Sequence, residues 1–224
     1  MKKFFYSVLA AATMLFATTS CSQEEEILGG EANGNNTQQV TFTVQMPGEE
    51  TNSRAIAEGV EVGKGNMANK LIWALYEKGE TERLDYGLVN PETTKEEGKS
   101  VFKAKIDMVK GLEYNVLFFA YNDEKCAFQL ATTPEETDLT ALELKNSLYA
   151  NQEGYDAFVK CHEHKVNNEL VTTVNLTRPF AQINAATTTT DLNKAKKLNA
   201  EVIKSELIIE QVPTQYNIMT GEAK

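Results

Sequence analysis

What the sequence lacks narrows it first. Three cysteines in 224 residues are too few for a disulfide framework. Five prolines and thirteen glycines exclude a collagen-like or low-complexity chain. Cations are in short supply, with 22 Lys and Arg against 32 Asp and Glu, so the net charge is −10. A surface this acidic repels phosphate, which removes nucleic acid from the expected partners. No apolar run reaches the roughly 20 residues of a membrane-spanning helix. No G-x-S-x-G, H-E-x-x-H, P-loop or Rossmann glycine pattern appears. What remains is 42% hydrophobic, ordinary for a folded protein with a sizeable core, arranged as one large domain or two small ones.

The N-terminus reads as an address. Lys2 and Lys3 precede an apolar stretch, Phe4 to Ala17, broken only by Ser7 and Thr13. Residues 1–20 therefore read as a secretory signal. Thr18-Thr19-Ser20-Cys21 resembles the lipobox of bacterial lipoproteins, although Thr18 is not the usual Leu. That resemblance implies cleavage before Cys21, lipidation of its thiol and attachment to the outer membrane through the lipid. Two or three acyl chains make a stable anchor. An ordinary signal peptide with an incidental cysteine is the alternative. Residues 21–38 follow as an acidic, Glu/Gly/Asn/Gln-rich tether that buries too little to offset its ordering entropy. Glu24-Glu25-Glu26 directly after Cys21 is similar to the surface-export signal of Bacteroidetes lipoproteins.

The body, 39–212, reads as strands. Val40, Phe42, Val44 and Met46 alternate with Thr41, Thr43 and Gln45, which gives one buried face over 39–46. The stretches 70–77 and 114–121 are apolar at nearly every position and are expected as central strands buried on both faces. Trp73 is expected in the core with Phe118 and Phe180 nearby. Further strands are expected at 83–89, 100–106, 156–161, 169–176, 180–186 and 201–210, the last ambiguous with helix. Asp191 to Asn199 predicts a short helix capped by Thr190 or Asp191, with lysines toward its C-terminal end. A second helix is expected over 139–149, and 213–224 reads as a tail or linker. Strands at this spacing without βαβ alternation predict a mainly β fold, an antiparallel β-sandwich with one or two short helices.

Candidate chemistry is sparse. His162 and His164 in Lys160-Cys161-His162-Glu163-His164 share one face of a strand, with Cys161 and Glu163 on the other. Two imidazoles hold zinc only with a further ligand, and no second cluster offers one, so no metal site is expected. Cys126 and Cys161 could pair in an oxidising compartment. Cys161 beside His162 lacks the orienting third group of a nucleophilic pair. The paired acids Glu49-Glu50, Glu96-Glu97 and Glu135-Glu136 sit in polar loops as solvated charge. No cofactor is expected, and the chain is expected not to be an enzyme.

Four segments, in order, are similar to the N-terminal part of the fimbrillin family, the type V pilins and related Bacteroidetes surface lipoproteins. They are the lipobox with its acidic tether, VTFTVQMPG (40–48) with SRAIAEG (53–59), LIWALYEKG (71–79), and TRPFAQINAATTTTDLNKA (177–195). The resemblance implies a transthyretin-like or Greek-key sandwich and a structural role. It implies that an Arg-specific protease cuts at Arg54, that the first strand leaves, and that a strand from another pilin subunit replaces it by β-augmentation. The expected product is a lipid-anchored cell-surface or fimbrial subunit, anchor or adhesin. The alternative is a surface glycan- or host-ligand-binding lipoprotein on the same sandwich.

Overall fold

A computed structural model of the chain describes residues 36–47, 67–92, 100–145, 155–179, 189–201 and 210–224. The alternation near the N-terminus becomes β1, Thr37–Gln45, with Val40, Phe42 and Val44 fully buried. It starts two residues before the expected 39, because Thr37 still pairs with Val109 and Gln38 turns its side chain inward to donate to the Asn167 carbonyl at 2.8 Å. The remaining strands are β2 (Lys70–Glu77), β3 (Arg83–Val89), β4 (Val101–Val109), β5 (Glu113–Tyr121), β6 (Leu142–Glu143), β7 (Phe158–Lys165), β8 (Val171–Asn175) and β9 (Gln215–Tyr216).

Two sheets form the sandwich. The first has the order β4-β1-β8, the second β3-β2-β5-β7. All pairs are antiparallel except β1 with β8, which run parallel, so the first sheet is mixed instead of purely antiparallel. The chain enters β1 in the middle of its sheet, not at an edge. The inner faces meet in one core: Phe42 and Val44 from β1, Phe102 and Ile106 from β4, Leu71 and Trp73 from β2, and Phe118 from β5. The Phe42 and Phe118 rings lie 5.5 Å apart across the two sheets.

A third layer explains why β2 and β5 are apolar on both faces. Their other face carries Ile72, Ala74, Tyr76, Leu117, Phe119 and Tyr121, and these are covered by Cys126, Phe128, Leu139, Leu142 and Ile218. Phe119 stacks on Tyr121 at 5.2 Å and meets Phe128 edge-on at 5.5 Å. Residues 139–145, expected to open a helix, instead form a turn and β6 within this layer. Asp138 accepts from the Thr140 N–H and hydroxyl at 2.8 and 2.7 Å, a local turn that competes with helix. The stretch 213–224, expected as a tail or linker, is packed into the same layer. There β9 pairs with β6, Ile218 is buried, and the Thr214 N–H donates to the Lys224 carbonyl at 2.7 Å.

The helix α1 spans Thr189–Lys197, shifted two residues from the expected Asp191–Asn199. Asp191 stands in its first turn and Lys194, Lys196 and Lys197 in its last, each favourable to the helix dipole. No described helix is long and apolar enough to cross a membrane. The expected strand 180–186 with Phe180, the central part of 201–210, residues 146–149 and the signal and tether through residue 35 lie outside the described residues.

Candidate functional site

The third layer covers β2 and β5 and touches β3, the edge of the second sheet among the described residues, through Arg83. The register sets the faces of β3. Gly87 stands opposite Trp73, and Val89 opposite Leu71, on the inner face. Tyr86 stands opposite Ala74, and Leu88 opposite Ile72, on the outer face. Tyr86 and Leu88 therefore face outward together, and Leu84 adjoins them at a β-bulge opposite Leu75 and Tyr76; the three are 37%, 38% and 43% exposed. Apolar side chains lined up like this on a bare face mark a binding surface more often than isolated ones do.

Each neighbour of the row has a defined role. The Arg83 guanidinium lies 4.2 Å from the centre of the Tyr86 ring and donates to the Glu136 and Thr137 carbonyls at 3.3 Å each. It thus ties the start of β3 to the third layer and fixes the ring. Asp85 accepts from the Tyr86 N–H at 2.9 Å, so that main-chain donor is occupied by a side chain instead of being offered to an incoming strand. Gly87 leaves room for the indole behind it: a Cβ there would stand 2.8 Å from Trp73 Nε1. Beyond Leu88 the row ends in a polar rim. Lys70 Nζ donates to Asn90 Oδ1 at 2.7 Å and lies 3.9 Å from Asp123 Oδ2. Asn69 Nδ2 donates to Asp123 Oδ1 at 2.6 Å, and the Asp123 N–H donates back to Asn69 Oδ1 at 3.0 Å. The rim thus has amide, carboxylate and ammonium groups side by side, with their charges paired.

The residues singled out from sequence lie elsewhere. Cys21 and Arg54 are outside the described residues. Cys126 and Cys161 are both free thiols on the third-layer side of the second sheet, and burial pushes both thiols up, away from reactivity at neutral pH. The disulfide considered for them is not formed in this structure. His162 and His164 do share a face, as the alternation requires, and that face is the sandwich interior. Their rings lie 5.8 and 5.1 Å from the Phe42 ring. Among the described residues no group of three His, Cys, Asp or Glu could hold a metal ion. Tyr114 and Phe118 are core residues. The sequence marks 83–89 as a strand, which β3 is, but does not single out its outer face. Its signal was the alternation of Leu84, Tyr86 and Leu88 in RLDYGLV, visible once the face is known.

A family profile matches residues 31–224. The chain belongs to the DUF6562 family. That family is of unknown function. No curated protein matches the chain significantly. A solved structure from Bacteroides thetaiotaomicron VPI-5482, named as a candidate polysaccharide-binding protein, is similar at 13% identity and a TM-score of 0.40. The match covers 63% of this chain and 47% of that one. A leucine-rich repeat protein from the same organism is similar at 11% identity and a TM-score of 0.30, covering 63% of this chain and 12% of that one. The chain thus spans less than half of either structure, and likeness at this level carries no information on ligand.

Proposed function

We propose that this DUF6562 protein is a non-enzymatic, lipid-anchored surface module that binds a neutral carbohydrate on the outer face of β3. The observation that carries the reading is the bare Leu84-Tyr86-Leu88 row ending in the Asn69, Lys70, Asn90 and Asp123 rim. A sugar presents an apolar C–H face and a ring of hydroxyls. The row matches the first, and planar amide and carboxylate groups match the second. Lys70 is neutralised by Asp123, which suits an uncharged ligand over a uronate or sulfate. The anchor at Cys21 would hold this face at the outer surface of the cell, a reading that rests on Thr18-Thr19-Ser20-Cys21 alone. The test is a glycan array probed with the purified protein and with Tyr86→Ala. Neutral glycans retained by the parent and lost in the variant support the reading. Identical patterns, or binding of neither, refute it.

A second reading, a fimbrillin-like subunit exchanging its first strand with another pilin subunit, is favoured by one observation. β1 has a neighbour on each side, so its departure would leave a slot bordered by β4 and β8 that a new strand could fill. Cleavage at Arg54 would free it. Purified protein clipped there should take up a synthetic peptide of residues 37–47. A clipped form that keeps its own β1 and its melting temperature contradicts this reading.

A further inference from the structure

The two histidines occupy a place where a polar ring is costly. β7 and β8 are consecutive in the chain, yet they are edges of opposite sheets, so a seam of the sandwich runs between them. It is closed at one end by the Val159 and Thr177 main-chain pair, at 2.8 and 3.0 Å, and at the other by the turn through residues 166–170. His162 and His164 point into the core between these closures, and their rings lie 5.9 Å apart. His164 is 6% exposed, and its Nε2 has no hydrogen-bond partner. Thr172, the register partner of Phe42 on β8, also carries a buried hydroxyl without a partner.

We propose that this seam is an acid-sensitive latch, in which protonation of His162 and His164 loosens β7 from β8 and the β1 side of the core. Among the described residues few charges face the pair. From the turn, Glu169 favours a charged His164; from β7 itself, His164 and Lys160 oppose a charged His162. β5 contributes Tyr114, whose hydroxyl accepts from the Val109 N–H. The cleft of about 230 Å³ beside His164 adds Lys78, Glu113, Glu163 and Lys165. Those four carry paired charge, Lys78 bridging Glu113 and Glu163 at 3.2 and 3.0 Å and Lys165 meeting Glu113 at 3.4 Å. The inner positions of β1, β4 and β8 here are Gln38, Val40, Phe42, Ala104, Ile106, Thr172 and Val174, and none titrates. An imidazolium gains some attraction to the Phe42 ring, but both histidines share that one ring.

The direction follows from burial. Desolvation holds both imidazoles below the ordinary 6.5. Well above pH 6.5 both rings are neutral whether the chain is folded or not. Below it the unfolded chain takes up protons that the folded seam resists, so stability falls as pH falls. The test compares denaturant unfolding of the whole protein at pH 7 and pH 5 with that of a His162→Gln/His164→Gln variant. The folding equilibrium constant of the parent should drop at least about tenfold more than the variant's. NMR titration of the ring protons in the parent needs no variant, and both midpoints should lie below 6.5. Midpoints at or above that value, or equal pH dependence in parent and variant, overturn the latch. So does one-to-one zinc uptake lost in the variant, which would make the pair a metal site.

Discussion

β1 and β3 are both alternating strands of similar length, and they end in opposite situations. β1 is flanked on both sides, and its apolar row is sealed against the facing sheet. Among the described residues β3 is flanked on one side, its inner face is shaped by Gly87 beneath Trp73, and its outer apolar side chains stay partly exposed. The same period therefore serves packing in one strand and leaves a surface in the other. Neighbours, not pattern, decide which.

The contrast can be broken most sharply at its buried end. Phe42→Ala removes a ring in contact with Phe118 and both histidines, and should cost roughly 3–5 kcal/mol in denaturant unfolding. Trp73→Ala belongs to the same class. A change below about 1 kcal/mol at Phe42 would show that β1 is not the sealed strand described. Limited trypsin comes next. If it cuts first after Arg54, β1 is held to the body only non-covalently, by its ladders to β4 and β8 and by packing, and the clipped form should melt lower or bind another strand. An Arg54→Ala variant should resist that cut. Gly87→Val is expected to cost roughly 1–3 kcal/mol, because its first added carbon already stands 2.8 Å from the indole. The smallest effect on stability belongs to Tyr86→Ala, within about 1 kcal/mol, since the side chain is more than a third exposed and lies outside both core clusters. A large loss there would place Tyr86 in the fold's support and not in a binding surface.

Local alternation made much of the sandwich legible. β2 and β3 fall where Leu71-Trp73-Leu75 and RLDYGLV put them, and the two-sided apolar character of 114–121 foretold a central β5. What covers the second face was not legible, because Phe128, Leu139, Leu142 and Ile218 are scattered singly through turns with no period. The parallel β1–β8 pair was hidden for a related reason, as register between strands about 130 residues apart leaves no local mark. The surface at β3 was missed because it depends on both: Leu84, Tyr86 and Leu88 stay partly exposed because the scattered third-layer residues bury β2 and β5 more fully than β3. The histidine face, by contrast, followed from period two, but whether it looked to core or solvent did not.

The central claim, that the outer face of β3 is the binding surface, is tested most directly by mapping amide chemical shifts as a neutral oligosaccharide taken from the array is titrated in. The account expects the moving resonances to be those of Arg83 to Asn90 with Asn69, Lys70 and Asp123, and expects them to stay still in Tyr86→Ala. Shifts confined to β7, to α1 or to the third layer, or a Tyr86→Ala variant that binds as well as the parent, would contradict it.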